Sequence, residues 1–225
     1  MRVANWRLLI LLTCVASIAG CAATKKSELP ATWDGLERRE VKGLGAVYVR
    51  PNVQFPPYKQ VMLDPVEVAF SKDWDPNTSR ELSRHLDAGD MQKIKDELAK
   101  LFRERFAEQL GKGGYPLTET VTEDTMRVTA GIIDLYINAP DTMTAGRSRT
   151  YTTETGHMTL VMEVRDAPSG QLLARVVDRR TGDSPGGYLQ WTNSVTNRAD
   201  AQRIIDVWAM QLRSALDRLN GRASS

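Results

Sequence analysis

The sequence predicts a single domain of the α+β class. Three observations lead to this prediction: two long segments have helical periodicity, several short segments have strand periodicity, and the chain order is β-β-α-β-β-β-α. The last three strand candidates follow one another without a helix between them, which is typical of an antiparallel meander. We therefore expect an antiparallel or mixed sheet of about five strands, with two amphipathic helices packed on one of its faces.

The first two strand candidates precede the first helix. One covers residues 45–50, and the other covers residues 60–70, where apolar and polar residues alternate on either side of Pro65. Proline has no backbone N–H to donate to a sheet, so Pro65 predicts a bulge or an edge strand.

The first helix is predicted over residues 90–110, where apolar residues recur every three or four positions. Asp90 is the predicted N-cap, and Gly111 is the predicted stop. The second helix is predicted over residues 198–219, before the pair Asn220-Gly221.

Three further strand candidates lie between the helices, at residues 127–139, 157–166 and 171–179. The apolar alternation in the first of them changes phase near Ile132 and Ile133. The last two are joined by a short segment that contains Pro168 and Gly170, which predicts a hairpin.

The N-terminus predicts a lipoprotein signal peptide over residues 1–20. Arg2 and Arg7 precede a twelve-residue, mostly apolar run from Leu8 to Ala19, which is shorter than the roughly 20 residues of a membrane-spanning helix. The sequence Ile18-Ala19-Gly20-Cys21 then resembles a bacterial lipobox, with Cys21 as the lipidated residue. We expect residues 21–33 to be a flexible, lipid-anchored tether and residues 34–221 to form the domain.

The composition limits the possible functions. Cys14 and Cys21 are the only cysteines, so a mature chain lipidated at Cys21 has no free thiol for a disulfide, a thiolate metal site or a cysteine nucleophile. The chain has 30 basic and 28 acidic residues. Loss of Arg2 and Arg7 with the signal peptide makes the two numbers equal, so net charge gives no argument for nucleic-acid binding.

No catalytic or metal-binding motif and no cofactor-binding fingerprint is recognisable in the sequence. The leading interpretation is therefore a non-enzymatic binding or assembly module, and we predict neither catalytic residues, nor a metal, nor a cofactor. One alternative is a hydrolase of envelope glycan or lipid that uses Asp134, His157 and Asp178. Another alternative is an accessory subunit of a secretion or efflux assembly.

The candidate binding residues lie where two connections of the meander leave the sheet at the same end. The connection of residues 140–156 is longer than most loops, which is typical of functional or disordered segments. Arginine, tyrosine and tryptophan are common at binding surfaces. The predicted recognition surface for an envelope protein or glycan consists of Arg147, Arg149, Tyr151, Arg179, Arg180, Tyr188 and Trp191.

Several short motifs together resemble the proteobacterial lipoprotein family called domain of unknown function 3313. They are the lipobox, the segment Tyr58–Val66, the strand end Val176–Arg180, and Trp208 with Leu212-Arg213 in the last helix. The resemblance covers about Asp34 to Leu219 and implies a lipoprotein of the cell envelope. Ala22 after the lipidated cysteine is similar to the outer-membrane sorting pattern, so we expect an outer-membrane protein with palmitate in its anchor, facing the periplasm.

Overall fold

A computed structural model gives the fold of this chain. It describes residues 29–75, 86–137, 151–152, 154–183, 190–191 and 194–222. The predicted lipobox, with Cys21, lies outside these residues. In the part of the chain that is described, no helix is both long and apolar enough to cross a bilayer.

The main sheet has eight strands, so the prediction of an α+β domain is confirmed and the expected five strands were too few. Seven strands lie side by side in the order β1-β2-β3-β9-β8-β6-β4, and β5 pairs with β6 next to β4. The strands are β1 (Thr32–Trp33), β2 (Leu36–Arg39), β3 (Ala46–Val49), β4 (Gln60–Leu63), β5 (Glu67–Phe70), β6 (Thr125–Ile137), β8 (Glu154–Asp166) and β9 (Leu172–Asp183). A separate two-stranded sheet contains β7 (Tyr151–Thr152) and β10 (Gln190–Trp191).

The sheet is mixed. Strands β4 and β5 run parallel to β6, and β6, β8 and β9 form the predicted antiparallel meander. Helix α1 (Ala88–Lys112) connects β5 to β6, as expected because parallel neighbours need a long crossover connection. Pro65 separates β4 from β5 at the edge of the sheet, where a missing N–H is tolerated.

Two strands not predicted precede β3. Strands β1 and β2 form a hairpin whose turn residues, Asp34 and Gly35, have φ values of 51° and 74°. Positive φ at both turn residues is the type I′ geometry that an Asp-Gly pair favours. Strand β1 therefore lies at the end of the segment predicted to be a tether.

The helices run in the same direction across one face of the sheet. Arg105 of α1 pairs with Asp206 of α2 (Ser194–Leu219). Tyr115, three residues after the end of α1, donates a hydrogen bond to Asp217 near the end of α2. Helix α1 begins earlier than predicted because Asp87 is its N-cap, and Asp90 completes the capping box three residues later. It also passes the predicted stop and ends at Lys112, followed by Gly113.

The main core lies between the helices and this face of the sheet, which we call the helix face. From the sheet it contains alternate residues of β6, β8 and β9, such as Ile132, Leu160 and Val176, and from the helices it contains Phe102, Phe106, Ile205 and Trp208. The other face, which we call the open face, carries a smaller apolar cluster under the β1–β2 hairpin, made of Leu36, Ala46, Tyr48 and Leu172.

Candidate functional site

The predicted recognition residues are only partly within the described chain. Arg179 and Arg180 lie in β9, and the backbones of Tyr151 and Trp191 form part of β7 and β10. The remaining members of the predicted surface lie outside the described residues, and these are Arg147, Arg149 and Tyr188.

The two connections of the meander meet in space. Trp191 of β10 pairs with Tyr151 of β7 in an antiparallel arrangement. Two residues after β7, Glu154 begins β8 opposite Asp183, the last residue of β9. The small β7–β10 sheet therefore adjoins the end of the main sheet at which the sequence predicts a recognition surface.

A solvent-open pocket of about 370 Å³ lies at the same end, between the last residues of β9 and the first turns of α2. Its β9 side is formed by Arg179, Arg180, Thr181 and Gly182, and its α2 side by Asp200, Arg203, Ile204 and Val207.

The three arginines of this pocket differ in how firmly they are held. Arg180 is the most buried of them, and its Nε donates a 2.7 Å hydrogen bond to Asp178 while its Nη2 donates to the backbone oxygen of Gly43. Arg179 and Arg203 are more than half exposed and pair with Asp134 and Asp200 respectively. Arg179 binds Asp134 on the face of the sheet away from α2, whereas Asp200, the partner of Arg203, is buried. Arg203 is therefore the exposed arginine on the α2 side of the pocket.

Asp200 and Arg203 are site residues that the sequence did not reveal. They lie three positions apart on α2, a spacing that places both side chains on one face of a helix. That spacing is common on solvated helices, and only the packing of α2 beside β9 brings them to the end of that strand.

Asp134 and His157 of the alternative acid–base set are neighbours on the open face. Their side chains are 3.7 Å apart, from Oδ2 of Asp134 to Nε2 of His157. The His157 ring stacks on Tyr136 with centroids 5.0 Å apart, and Arg179 also binds Asp134.

A β-bulge explains the change of phase in β6. The register with β8 shifts between Ile133 and Tyr136, and Asp134 adopts a left-handed φ of 55°. As a result Ile132 and Leu135 both lie in the main core, whereas Ile133 is exposed. The bulge therefore accounts for the phase change that the sequence shows near Ile132 and Ile133.

Asp178 does not join this pair. It lies on the helix face, 5 % exposed, and accepts hydrogen bonds from the backbone N–H of Gly45, from Arg180 and from Trp208. The sheet therefore separates Asp178 from Asp134 and His157, and the three groups do not meet in one pocket. Within the described ranges, no group of three or more histidine, cysteine, aspartate or glutamate side chains is arranged to hold a metal ion.

Comparison with known proteins gives a family match and several distant structural likenesses. The model of a family described as "Protein of unknown function (DUF3313)" matches residues 25–212. No curated protein matches the chain.

Three solved structures illustrate the likenesses. A Xanthomonas campestris protein of the family DUF330 is 10% identical with a TM-score of 0.40, and the match covers 77% of this chain and 92% of that one. The PelC dodecamer protein of Paraburkholderia phytofirmans is 14% identical with a TM-score of 0.33, over 72% and 98%. A candidate lipoprotein of Caulobacter crescentus is 15% identical with a TM-score of 0.32, over 57% and 87%. These TM-scores are too low for the likenesses to carry an argument about function.

Proposed function

The chain belongs to the DUF3313 family of proteins of unknown function, and from this premise we propose that it is a lipid-anchored, non-enzymatic binding module of the bacterial cell envelope. Lipid on Cys21 attaches it to the outer membrane, with the folded domain in the periplasm. Its partner is an envelope protein or glycan, recognised at the end of the sheet where β9 meets the start of α2.

The pocket between β9 and α2 is the observation that carries this proposal. The exposed Arg203 lines its α2 side, and the more buried Arg180 lines its β9 side. Chain connectivity puts the β7–β10 sheet, which contains Tyr151 and Trp191, at the same end of the main sheet. Arginine and large aromatic residues contribute most to binding at protein interfaces, and a guanidinium can bind a carboxylate or phosphate through two hydrogen bonds.

The hydrolase alternative has less support from the geometry. General acid–base catalysis needs its groups within hydrogen-bonding reach of one substrate in a concave site. Asp178 is enclosed by its own partners on the helix face, and Asp134 and His157 lie on the open face. We therefore retain the binding module as the single proposed function.

The accessory-subunit alternative requires a large apolar interaction patch. The exposed large hydrophobic residues of the described chain are scattered along the sequence, as on an ordinary protein surface, and the two on α2 are nine positions apart. They are Leu29, Val121, Ile133, Met210 and Leu219.

Two measurements test the proposed lipid anchor and outer-membrane location. The mass of the N-terminal peptide from the mature protein should show removal of residues 1–20 and acylation of Cys21. Membrane fractionation should place the wild type in the outer membrane and the Cys21→Ser variant in the soluble periplasmic fraction. An unacylated Cys21, or a soluble wild-type protein, contradicts the lipid anchor.

Alanine substitution tests the recognition surface. Replacing Arg147, Arg149, Tyr188 and Trp191 together should abolish crosslinking to envelope partners and leave the melting temperature within about 2 °C of wild type. Unchanged crosslinking contradicts the proposed surface. A large loss of stability would mean that these residues belong to the core instead.

A further inference from the structure

The fold fixes the point at which the chain leaves the domain toward Cys21. The hydroxyl of Tyr48, a buried side chain, donates a 2.9 Å hydrogen bond to the backbone oxygen of Pro30. Arg38 donates from its side chain to the oxygen of Leu29 and from its backbone N–H to the oxygen of Ala31. The chain is therefore attached to the sheet from Leu29 onward.

The β1–β2 hairpin is itself held tightly against the open face. Arg175 is 8 % exposed, and its Nη1 lies 2.8 Å from Oδ2 of Asp34 in the hairpin turn. Its guanidinium also lies 4.2 Å from the centre of the Trp33 ring, which contacts Tyr48 edge-on at 5.6 Å. These contacts make the hairpin part of the rigid sheet, so the position of β1 determines how the domain sits relative to its anchor.

The reach from the lipidated cysteine to this hairpin is short. Cys21 and Leu29 are eight residues apart in the sequence, which a fully extended chain spans in at most about 29 Å. The order of strands places six spacings of about 4.8 Å between β1 and β4, which sets an upper limit of about 29 Å on the distance between these two edges. The anchor therefore holds the β1 edge close to the bilayer surface, while the β4 edge can lie as much as twice as far away.

The charges at the two edges of the sheet favour the same orientation. Residues 29–50, which include β1, β2 and β3, contain four basic and three acidic residues. Residues 59–70 and 116–128, which form and flank the β4–β5 edge, contain two basic and five acidic residues. A bilayer that contains anionic lipids attracts basic segments and repels acidic ones.

We infer that the edge of the sheet formed by the β1–β2 hairpin is a membrane-facing surface, which lies against anionic lipid headgroups and directs the β4–β5 edge away from the bilayer. This inference rests on the proposed lipidation of Cys21. It adds a defined orientation, because a lipid alone would leave the domain free to present any surface to the membrane.

Labelling at two matched positions tests this orientation in the lipidated protein. Ala31 and Ala69 are both exposed alanines, one beside β1 and the other in β5 at the opposite edge. The chain has no cysteine besides Cys14 and Cys21, so Ala31→Cys and Ala69→Cys each give the lipidated mature protein a single free thiol. Each variant carries the same thiol-reactive fluorophore in phosphatidylethanolamine–phosphatidylglycerol vesicles that contain a headgroup nitroxide lipid.

The nitroxide should quench the fluorophore at position 31 at least about twofold more than the fluorophore at position 69. Equal quenching at the two positions, or stronger quenching at position 69, overturns the orientation. The mass of each variant is measured first. If it shows no lipid on Cys21, the proposed function fails and this inference fails with it, whereas lipidated protein with equal quenching overturns the orientation alone.

A longer connection between Cys21 and Leu29 provides a control for the effect of the short tether. Insertion of twenty glycine and serine residues after Ser27 extends the maximum span from Cys21 to Leu29 to about 100 Å. The ratio of quenching at positions 31 and 69 should then fall toward one. A ratio that does not change overturns the short reach as the cause of the orientation.

Discussion

The indole Nε1 of Trp208 donates a 2.7 Å hydrogen bond to Oδ2 of Asp178, and both side chains are buried. This bond joins the middle of α2 to the middle of β9. The second carboxylate oxygen of Asp178 accepts a 2.8 Å bond from the backbone N–H of Gly45, just before β3. One carboxylate therefore connects a helix with two strands on the helix face of the sheet.

Replacing Asp178 by alanine should destabilise the domain by about 3–5 kcal/mol, because it leaves the Arg180 guanidinium, the Trp208 indole and the Gly45 N–H without their acceptor. The free energy of unfolding is measured by urea denaturation. The matched control is Asp73→Ala, at an exposed aspartate shortly after β5, which should change stability by less than about 0.5 kcal/mol. Equal losses in the two variants would show that Asp178 has no special role.

The Arg105–Asp206 pair should contribute measurably to the packing of α1 against α2. Arg105 binds Asp206 through two bonds, Nε to Oδ1 at 2.7 Å and Nη2 to Oδ2 at 3.0 Å, and both side chains are at most 20% exposed. Arg105→Lys keeps the charge and loses the two-bond geometry, so we expect a loss of about 1–2 kcal/mol in denaturation experiments.

An exposed pair on α1 serves as the control for this prediction. Lys100 is 77% exposed and lies 3.9 Å from Glu104, so Lys100→Ala should cost less than about 0.5 kcal/mol. A Lys100→Ala variant as unstable as Arg105→Lys would contradict the importance of the two-bond geometry between the helices.

Glu163 should make stability depend on acid pH. Burial raises the pKa of this carboxyl, but hydrogen bonds and charge from Arg175 and Arg165 outweigh burial and hold the pKa below the usual 4.5. Since the pKa is lower in the folded than in the unfolded state, the contribution is fully present above pH 4.5 and is lost as the pH falls through the folded pKa. The difference in melting temperature between wild type and Glu163→Gln should therefore be larger at pH 7 than at pH 3.

The exposed Glu40 provides the reference for this titration. Glu40→Gln should have a melting temperature close to that of wild type at both pH values. The assignment to Glu163 would be wrong if the Glu163→Gln variant differed from wild type by the same amount at pH 3 and pH 7.

Asp134 should tolerate glycine better than alanine. Its φ of 55° lies in the left-handed region, which costs an ordinary L-residue roughly 1–2 kcal/mol relative to glycine. Both substitutions remove the carboxylate that binds Arg179, so their difference isolates the backbone conformation. In urea denaturation, Asp134→Gly should be about 1 kcal/mol more stable than Asp134→Ala, and the reverse order would contradict a left-handed residue at the bulge.

Much of the fold could be predicted from periodicity, and the errors have local physical causes. Both helices and strand β8 have long segments with a consistent apolar repeat, because each buries one complete face, whereas the repeat in β6 changes phase at its bulge. The hairpin around Asp34-Gly35 was missed, although an Asp-Gly pair between Trp33 and Leu36 is a turn signal. Strands of two to four residues are too short to show alternation, which explains why the sheet has more strands than predicted.

The candidate site could be predicted only where chain connectivity determines it. The meander requires its two connections to leave at one end, and the pairing of Tyr151 with Trp191 agrees with this. Arg203 lines the pocket only because α2 packs beside β9. Asp178 and Asp134 are separated because they lie on opposite faces of the sheet, and the bulge in β6 decides the face of Asp134. These are tertiary relationships that one sequence does not encode in a local pattern.

Site-specific photocrosslinking in cells tests the proposed binding module most directly. A photoreactive residue replaces Arg203 in the pocket, and a second variant carries it at Glu97, an exposed position of α1. We expect one discrete adduct with an envelope protein or glycan at position 203 that is absent at position 97 and is lost when Cys21 is replaced by serine. No adduct at position 203, or the same adducts at both positions, would contradict a binding module whose recognition surface lies between β9 and α2.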